Sequence, residues 1–78
     1  MKEKGGVERL FRRIRRAGGS ARWETVGQTL VCSIRLPGKG AAGMDYCNPR
    51  AGLWGRRAAV RGALRYAHKA AEAEEKAL

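Results

Sequence analysis

The sequence predicts an α+β fold in which an N-terminal helix, a three-stranded antiparallel sheet and a C-terminal helix follow one another, with the last helix packed on the sheet. Helical spacing of apolar residues near the start, alternation of apolar and polar residues through the middle, and a late Ala- and Arg-rich run predict this order. The 78 residues predict a single domain, 1–78. A core of this size supplies only about 3–5 kcal/mol of net stability, so a homodimer or another stabilising partner is compatible with the sequence.

The first helix is predicted over residues 7–17. Val7, Leu10, Phe11 and Ile14 recur at the spacing of one helical face. The glycines that follow Ala17 favour the left-handed conformation that ends a helix. We expect the arginines between the apolar residues to point outward, without a pairing role, and to form a cationic surface: Arg9, Arg12, Arg13, Arg15 and Arg16.

Three strands are predicted over residues 21–26, 29–36 and 42–47. The second strand is the clearest, because Leu30, Cys32 and Ile34 alternate with more polar positions. We expect Trp23 and Tyr46 to pack in the core or on a sheet face. The turn at 37–40 reads Pro-Gly-Lys-Gly, which is a hairpin turn and lacks the spacing of a phosphate-binding P-loop.

The second helix is predicted over residues 49–76, with Asn48 capping it and Pro49 at its first position, and with its firmly helical part beginning near Leu53 or Gly55. We expect its glycines, Gly52, Gly55 and Gly62, to let the helix approach the sheet closely. At 100° per residue one sector faces the core, comprising Leu53, Val60, Leu64, Ala67 and Ala71. Another sector is cationic and contains Arg50, Trp54, Arg57, Arg61, Arg65 and His68.

The charge of the chain points to an acidic partner. There are 17 basic residues against 7 acidic ones, a formal net charge of +10. Arginines at i and i+4 repel one another, and an acidic i+4 partner is absent from the cationic sector until Glu72. The sector is therefore either a contact surface for a polyanion or a solvated helix face. Trp54 either stacks on a base or protein partner, or folds over the sheet edge.

The inventory of reactive residues does not predict an enzyme, a cofactor or a metal site. His68 has no evident nucleophile partner, and with Cys32 and Cys47 it supplies too few ligands for structural zinc. No apolar segment follows the charged start, as a signal peptide would require, and none is long enough to span a membrane. We therefore expect a cytoplasmic protein with free thiols, although a disulfide between the two cysteines stays open.

Two segments resemble a pattern in small uncharacterised phage and prophage proteins. The segments are Asp45-Tyr46-Cys47-Asn48-Pro49-Arg50 and Gly55-Arg56-Arg57-Ala58-Ala59-Val60-Arg61-Gly62-Ala63-Leu64. In those proteins a strand ends near an aromatic residue and a polar loop, and a helix of the form G-R-[KR]-x-A-x-x-R-A-L follows. The resemblance implies a mobile-element origin, in which case the protein would act in the host cytoplasm, and a sheet followed by a C-terminal helix; it implies no activity.

The order of elements also resembles two nucleic-acid-binding folds. Helix, three strands and helix is similar to the double-stranded RNA-binding domain, whose basic second-helix start is loosely matched by Arg56 and Arg57. The turn at Ile34-Arg35-Leu36-Pro37, with an Ala-rich helix, is similar to the DNA readers of integrase N-terminal and AP2 type, which place their sheet in the major groove.

These observations lead to two functional hypotheses. The first is a small phage-type protein that binds DNA or RNA through its arginine-rich helix faces, mostly at phosphates. The alternative is a phage-encoded, anti-CRISPR-like inhibitor that uses the same arginines against an acidic surface of a host nucleic-acid-handling enzyme.

Overall fold

The computed structural model describes residues 7–38 and 40–77. Lys39 of the predicted turn and the charged start of the chain, residues 1–6, lie outside them. The elements are α1 (Val7–Arg16), β1 (Ser20–Val26), β2 (Thr29–Arg35), β3 (Ala42–Cys47) and α2 (Gly52–Ala77). The predicted α+β fold class is confirmed, with α2 packed on the sheet.

The sheet is antiparallel throughout, with strand order β1-β2-β3. Val26 pairs with Thr29 across a two-residue turn. Gly27 begins that turn with φ of +61°, a conformation that glycine adopts without steric cost and that a primed hairpin turn requires at this position. The longer β2–β3 connection is closed by a hydrogen bond of 2.8 Å that the Leu36 N–H donates to the Ala41 carbonyl.

Both helices cover the same face of the sheet. Ala21, Cys32 and Ile34 point from this face into one buried cluster that also contains residues of α1 and α2. α1 lies over β1, while α2 lies mainly over β3 and partly over β2. We call the solvent side of the two helices the helix-layer surface.

The opposite face of the sheet, which we call the open face, has no other element of the described chain packed on it. Its residues alternate with the buried ones and include Arg22, Val31, Met44 and Tyr46. Tyr46 is 71% exposed. It lies on a sheet face, as one of the two predicted alternatives has it, and not in the core. The open face is a second surface that a partner could use.

α1 follows its predicted pattern closely. Val7, Phe11 and Ile14 are buried against the sheet, and Leu10 is half-buried beside them. The helix ends at Arg16, one residue before the predicted end. Gly18 then adopts φ of +101°, and the Gly19 N–H donates to the Ile14 carbonyl at 2.9 Å, which is the helix-ending geometry expected of a glycine pair.

α2 packs on the sheet mostly through alanine. Its buried side chains are Ala59, Val60, Ala63, Ala67 and Ala71. Such small side chains bring the helix backbone so close to β3 that a Cβ on Gly43 would overlap the Ala63 carbonyl and the Ala67 N–H. The predicted core sector is thus correct for Val60, Ala67 and Ala71, whereas Leu64 is half-buried and Leu53 is 40% exposed.

The helix begins at Gly52, close to the firm start expected near Leu53 or Gly55. The start at residue 49 with Asn48 as its cap is wrong, because Asn48 and Pro49 form a turn before the helix. The Asn48 Oδ1 accepts a hydrogen bond from the Arg50 N–H, and its carbonyl accepts one from the Ala51 N–H, each at 2.9 Å. An Asn side chain that bonds its own backbone two residues on makes an Asx turn, which competes with helix capping. Gly52, with φ of +72°, then redirects the chain into the helix.

The predicted role of the α2 glycines, close approach to the sheet, is correct for Gly62, whereas Gly55 makes room for the turn before the helix. A Cβ on Gly62 would overlap the Asp45 carboxylate, and a Cβ on Gly55 would meet the Cβ of Ala51 and lie 3.8 Å from that of Cys47. A Cβ added to Gly52 would meet no other atom. The positive φ of this residue, which glycine adopts readily, is therefore the reason for a glycine here.

Candidate nucleic-acid interface

Three arginines of α2 form a line on the helix-layer surface. Arg57, Arg61 and Arg65 are four residues apart, which places them about 12 Å from end to end at 1.5 Å per residue. Arg61 and Arg65 are exposed, whereas the neighbouring Val60 is buried. Among the described residues, neither guanidinium has a hydrogen-bond or ion-pair partner. We call these three residues the α2 cationic row.

Trp54 stands at the beginning of the row. Its side chain is 74% exposed, so the alternative that it folds over the sheet edge is wrong. The Arg57 guanidinium carbon lies 5.6 Å from the centroid of the Trp54 ring, within the range of a cation–π contact. The half-buried Arg57 and the exposed indole therefore form one amphipathic unit, with the flat ring presented to solvent.

Arg50 does not belong to the helix sector in which the sequence placed it. It lies in the turn before α2 and is exposed. Its contribution to the row depends on the turn geometry and not on helical periodicity. His68, in contrast, is exposed on α2 as predicted.

The five arginines of α1 are all exposed, as predicted. Arg9, Arg13 and Arg16 share the side of the helix opposite the buried Phe11, because they follow one another at i, i+4 and i+7. Since both helices lie on the same face of the sheet, these arginines and the α2 cationic row share the helix-layer surface. The structure thus brings the two predicted clusters to one side of the molecule.

Arg15 has a structural role that the sequence did not predict. Its Nε and Nη2 donate to the Ala21 carbonyl at 3.2 and 2.6 Å, and its guanidinium lies 5.8 Å from the centroid of the Phe11 ring. The expectation that no pairing explains these arginines is therefore wrong for Arg15. The side chain ties the end of α1 to the start of β1, a contact between residues whose proximity only the turn creates.

A groove opens beside Trp23, between α1, β1 and the first turns of α2. Its volume is about 400 Å³. It is lined by Val7, Glu8, Phe11, Arg12, Arg15, Trp23, Leu53 and Arg56. We call it the Trp23 groove.

Aromatic rings form the floor of the Trp23 groove and guanidinium groups its rim. The half-buried Trp23 packs against the core as predicted, with its ring centroid 6.0 Å from that of Phe11. The Arg56 guanidinium lies 5.7 Å from the Trp23 centroid. Arg56 was absent from the predicted site residues, because helical periodicity turns it away from the cationic row; its basic character beside Arg57 was the only indication in the sequence.

The two cysteines occupy neighbouring strands but are not paired. Cys32 lies opposite Asp45, and Cys47 lies opposite Leu30, so the cysteines are diagonal neighbours on the helix-covered face. Both are free thiols in the structure. Burial raises the pKa of the Cys32 thiol to about 12, and negative charge at Cys47 and Asp45 adds to the shift. Cys32 is therefore a protonated core residue at neutral pH.

Comparison of the chain with protein-family models, with curated proteins and with solved structures gave no match. The assignment of a function accordingly depends on the chemistry of the surfaces described above. In residues 7–38 and 40–77, no helix has the length and apolar character needed to cross a membrane.

Proposed function

We propose that this protein binds nucleic acid, DNA or RNA, with the helix-layer surface against the phosphate backbone. The observation that carries the proposal is the pair Arg61 and Arg65, exposed one turn apart without an anionic partner among the described residues. Two such charges repel each other in the free protein, and a polyanion removes that repulsion. Arginine also suits the ligand, because its planar guanidinium donates two parallel hydrogen bonds to a phosphate.

The dimensions of the α2 cationic row fit a backbone. A strand of duplex advances about 3.4 Å along the axis per nucleotide, so a row of about 12 Å matches roughly three or four nucleotides. The exposed arginines of α1, Arg9, Arg13 and Arg16, extend the cationic area over the same layer. Contacts of this kind give affinity without sequence specificity.

The open face is the less favourable surface for phosphate, although the AP2-type resemblance places the sheet against DNA. Its two arginines already have partners: the Arg22 Nη2 lies 3.6 Å from the Glu24 Oε1, and the Arg35 Nη1 donates to the Gly40 carbonyl at 3.0 Å. This difference permits a test with two double variants that remove the same charge from opposite sides of the molecule.

The test is a salt titration of binding to a labelled duplex, followed by fluorescence anisotropy. We expect Arg61→Gln with Arg65→Gln to weaken binding and to reduce the slope of log K against log salt by about 1.8, which corresponds to two lost phosphate contacts. Arg22→Gln with Arg35→Gln should leave the slope within experimental error.

Three results would contradict the proposal. Equal losses from both double variants would mean that net charge alone attracts the duplex. A larger loss from the Arg22 and Arg35 pair would move the interface to the open face. Failure of the unmodified chain to bind duplex DNA or RNA at low salt would remove nucleic acid as the ligand.

A second candidate function is inhibition of a host nucleic-acid-handling enzyme through an acidic protein surface. The exposed Trp54 favours it, because a solvent-facing indole beside an arginine is typical of protein–protein hot spots. A pull-down from nuclease-treated host lysate separates the candidates. An association that survives nuclease and is lost in Arg61→Glu with Arg65→Glu supports the protein partner; one that disappears with nuclease supports nucleic acid.

A further inference from the structure

We propose that the Trp23 groove binds one unpaired nucleotide, with the base on the aromatic floor and the phosphate at the arginine rim. The inference rests on the proposed function and deepens it, because it specifies a nucleic acid with a single-stranded end or gap next to its backbone tract.

The floor of the groove suits a nucleobase. The half-buried Trp23 supplies the accessible aromatic part of the floor, with the buried Phe11 packed against it and Leu53 beside it. The volume of about 400 Å³ lies within the range of about 300–1,000 Å³ that small-molecule sites occupy. Bases stack on aromatic side chains whatever their identity, because every base has a π-face.

The rim of the groove suits a phosphate. Arg12, Arg15 and Arg56 line it, against Glu8 as the one acidic residue of the lining. The two hydrogen bonds to the Ala21 carbonyl fix Arg15 in position, so its charge is already placed at the groove. The plane of Arg56 can also stack on a base, as guanidinium groups do in RNA complexes.

The groove is continuous with the proposed backbone site. Leu53 and Arg56 form its α2 side, and they alternate along the helix with Trp54 and Arg57, where the α2 cationic row begins. A strand that follows the row toward the start of α2 therefore reaches the mouth of the groove. A peptide with an aromatic residue next to an acidic one has similar chemistry. Every nucleotide carries a flat ring beside a negative charge, whereas a peptide has this combination only in particular sequences.

The two tryptophans of the chain allow the groove and the row to be observed separately. In Trp54→Phe the remaining fluorescence comes from Trp23 in the groove, and in Trp23→Phe it comes from Trp54 at the row. Each variant is titrated with a blunt hairpin duplex and with the same hairpin carrying a three-nucleotide single-stranded overhang. Far-UV circular dichroism establishes that both variants are folded.

We expect the overhang to quench Trp23 and to raise affinity about tenfold over the blunt hairpin, while both hairpins affect Trp54. Arg56→Gln should remove most of the gain from the overhang and leave binding of the blunt hairpin nearly unchanged. The matched control is Arg22→Gln, which makes the same substitution one residue before Trp23 but on the open face. It should retain the full gain.

Other outcomes would overturn the inference. Equal affinity for both hairpins, with Trp23 unquenched, rejects the groove as a nucleotide site while the proposed function stands. Quenching of Trp23 by an acidic tyrosine-containing peptide but not by the overhang assigns the groove to a peptide. Absence of binding to either hairpin rejects the proposed function and the groove inference together.

Discussion

At the residue scale, chemically identical side chains a single position apart have different roles. Arg15 bonds the Ala21 carbonyl and lies over Phe11, whereas Arg16 is exposed and has no such bond among the described residues. Helical periodicity places Arg15 beside Phe11, which lies four residues before it, and Arg16 on the opposite side of α1. The bonds to Ala21 also require the turn that brings β1 back beneath the helix.

This difference predicts unequal losses of stability. Arg15→Met should lower the free energy of unfolding by about 1–2 kcal/mol, because it removes charge-assisted hydrogen bonds to a backbone carbonyl. Arg16→Met, the matched control, removes the same charge and should change it by less than about 0.5 kcal/mol. Urea denaturation measures both. Equal changes in the free energy of unfolding for the two variants would show that the contacts of Arg15 contribute no stability beyond that of its positive charge.

The Cys32 thiol predicts a fall in stability at alkaline pH. Between pH 9.0 and about 12 the thiol of the unfolded chain loses its proton while the buried thiol keeps it, so the unfolded state binds fewer protons. The free energy of unfolding should therefore decrease as the pH rises above 9.0 and be insensitive to this group below that value.

The control for this prediction is Cys32→Ala, which removes the thiol and keeps the other titrating groups. Urea denaturation at about pH 8 and about pH 10 should show a larger loss for the unmodified chain than for the variant. Equal losses would mean that Cys32 does not retain its proton in the folded protein.

At the scale of elements, the joint between β3 and α2 is the tightest in the fold. Gly43 lies under the backbone of α2, where an added Cβ would lie 2.9 Å from the Tyr66 carbonyl carbon and closer still to Ala63 and Ala67. These atoms are backbone and cannot turn aside as a flexible side chain would. The helix and the strand must therefore separate if position 43 carries a side chain.

We accordingly expect Gly43→Ala to lower the free energy of unfolding by about 3 kcal/mol, the upper part of the range for overpacked cores. The comparison is Ala42→Val, which enlarges an exposed side chain at the neighbouring position of β3. That variant should change stability by less than about 0.5 kcal/mol. Thermal or urea unfolding measures both, and a near-neutral Gly43→Ala would contradict the close approach.

The predicted elements were accurate where a repeated pattern specified them. The apolar spacing of Val7, Phe11 and Ile14 predicted α1 to within a residue at its end, and alternation along β2 predicted its buried face. The start of α2 at residue 49 was mispredicted because Asn48 serves equally well as a helix cap and as the first residue of an Asx turn. Local chemistry permits both, and the geometry of the chain after β3 decides between them.

At the scale of the whole molecule, the two helices form a basic outer layer and the sheet presents a face of mixed character. The chain carries a net charge of +10, and Arg61 and Arg65, whose guanidinium groups have no partner within residues 7–38 and 40–77, lie on the helix layer. On the open face Arg22 is paired with Glu24, and Met44 and Tyr46 are exposed. An acidic ligand is thus favoured on one side of the molecule, which is why variants on opposite sides separate specific contact from net charge.

Two parts of the candidate site differ in how far the sequence could predict them. The α2 cationic row follows from the spacing of its arginines, since residues four apart share a helix side in any fold. The Trp23 groove does not, because Phe11, Trp23 and Arg56 are distant in the chain and belong to three elements. No spacing rule relates them.

The sequence by itself determined the order of the elements, the basic character of both helices and the outward side of each, because these depend on composition and local periodicity. Only the tertiary structure decided that both helices lie on one face of the sheet, that their arginines share one surface, that Arg15 bonds Ala21 and that Arg56 lies over Trp23. Those outcomes depend on contacts between distant segments, whose geometry is set by turns and by the close packing of α2 on β3.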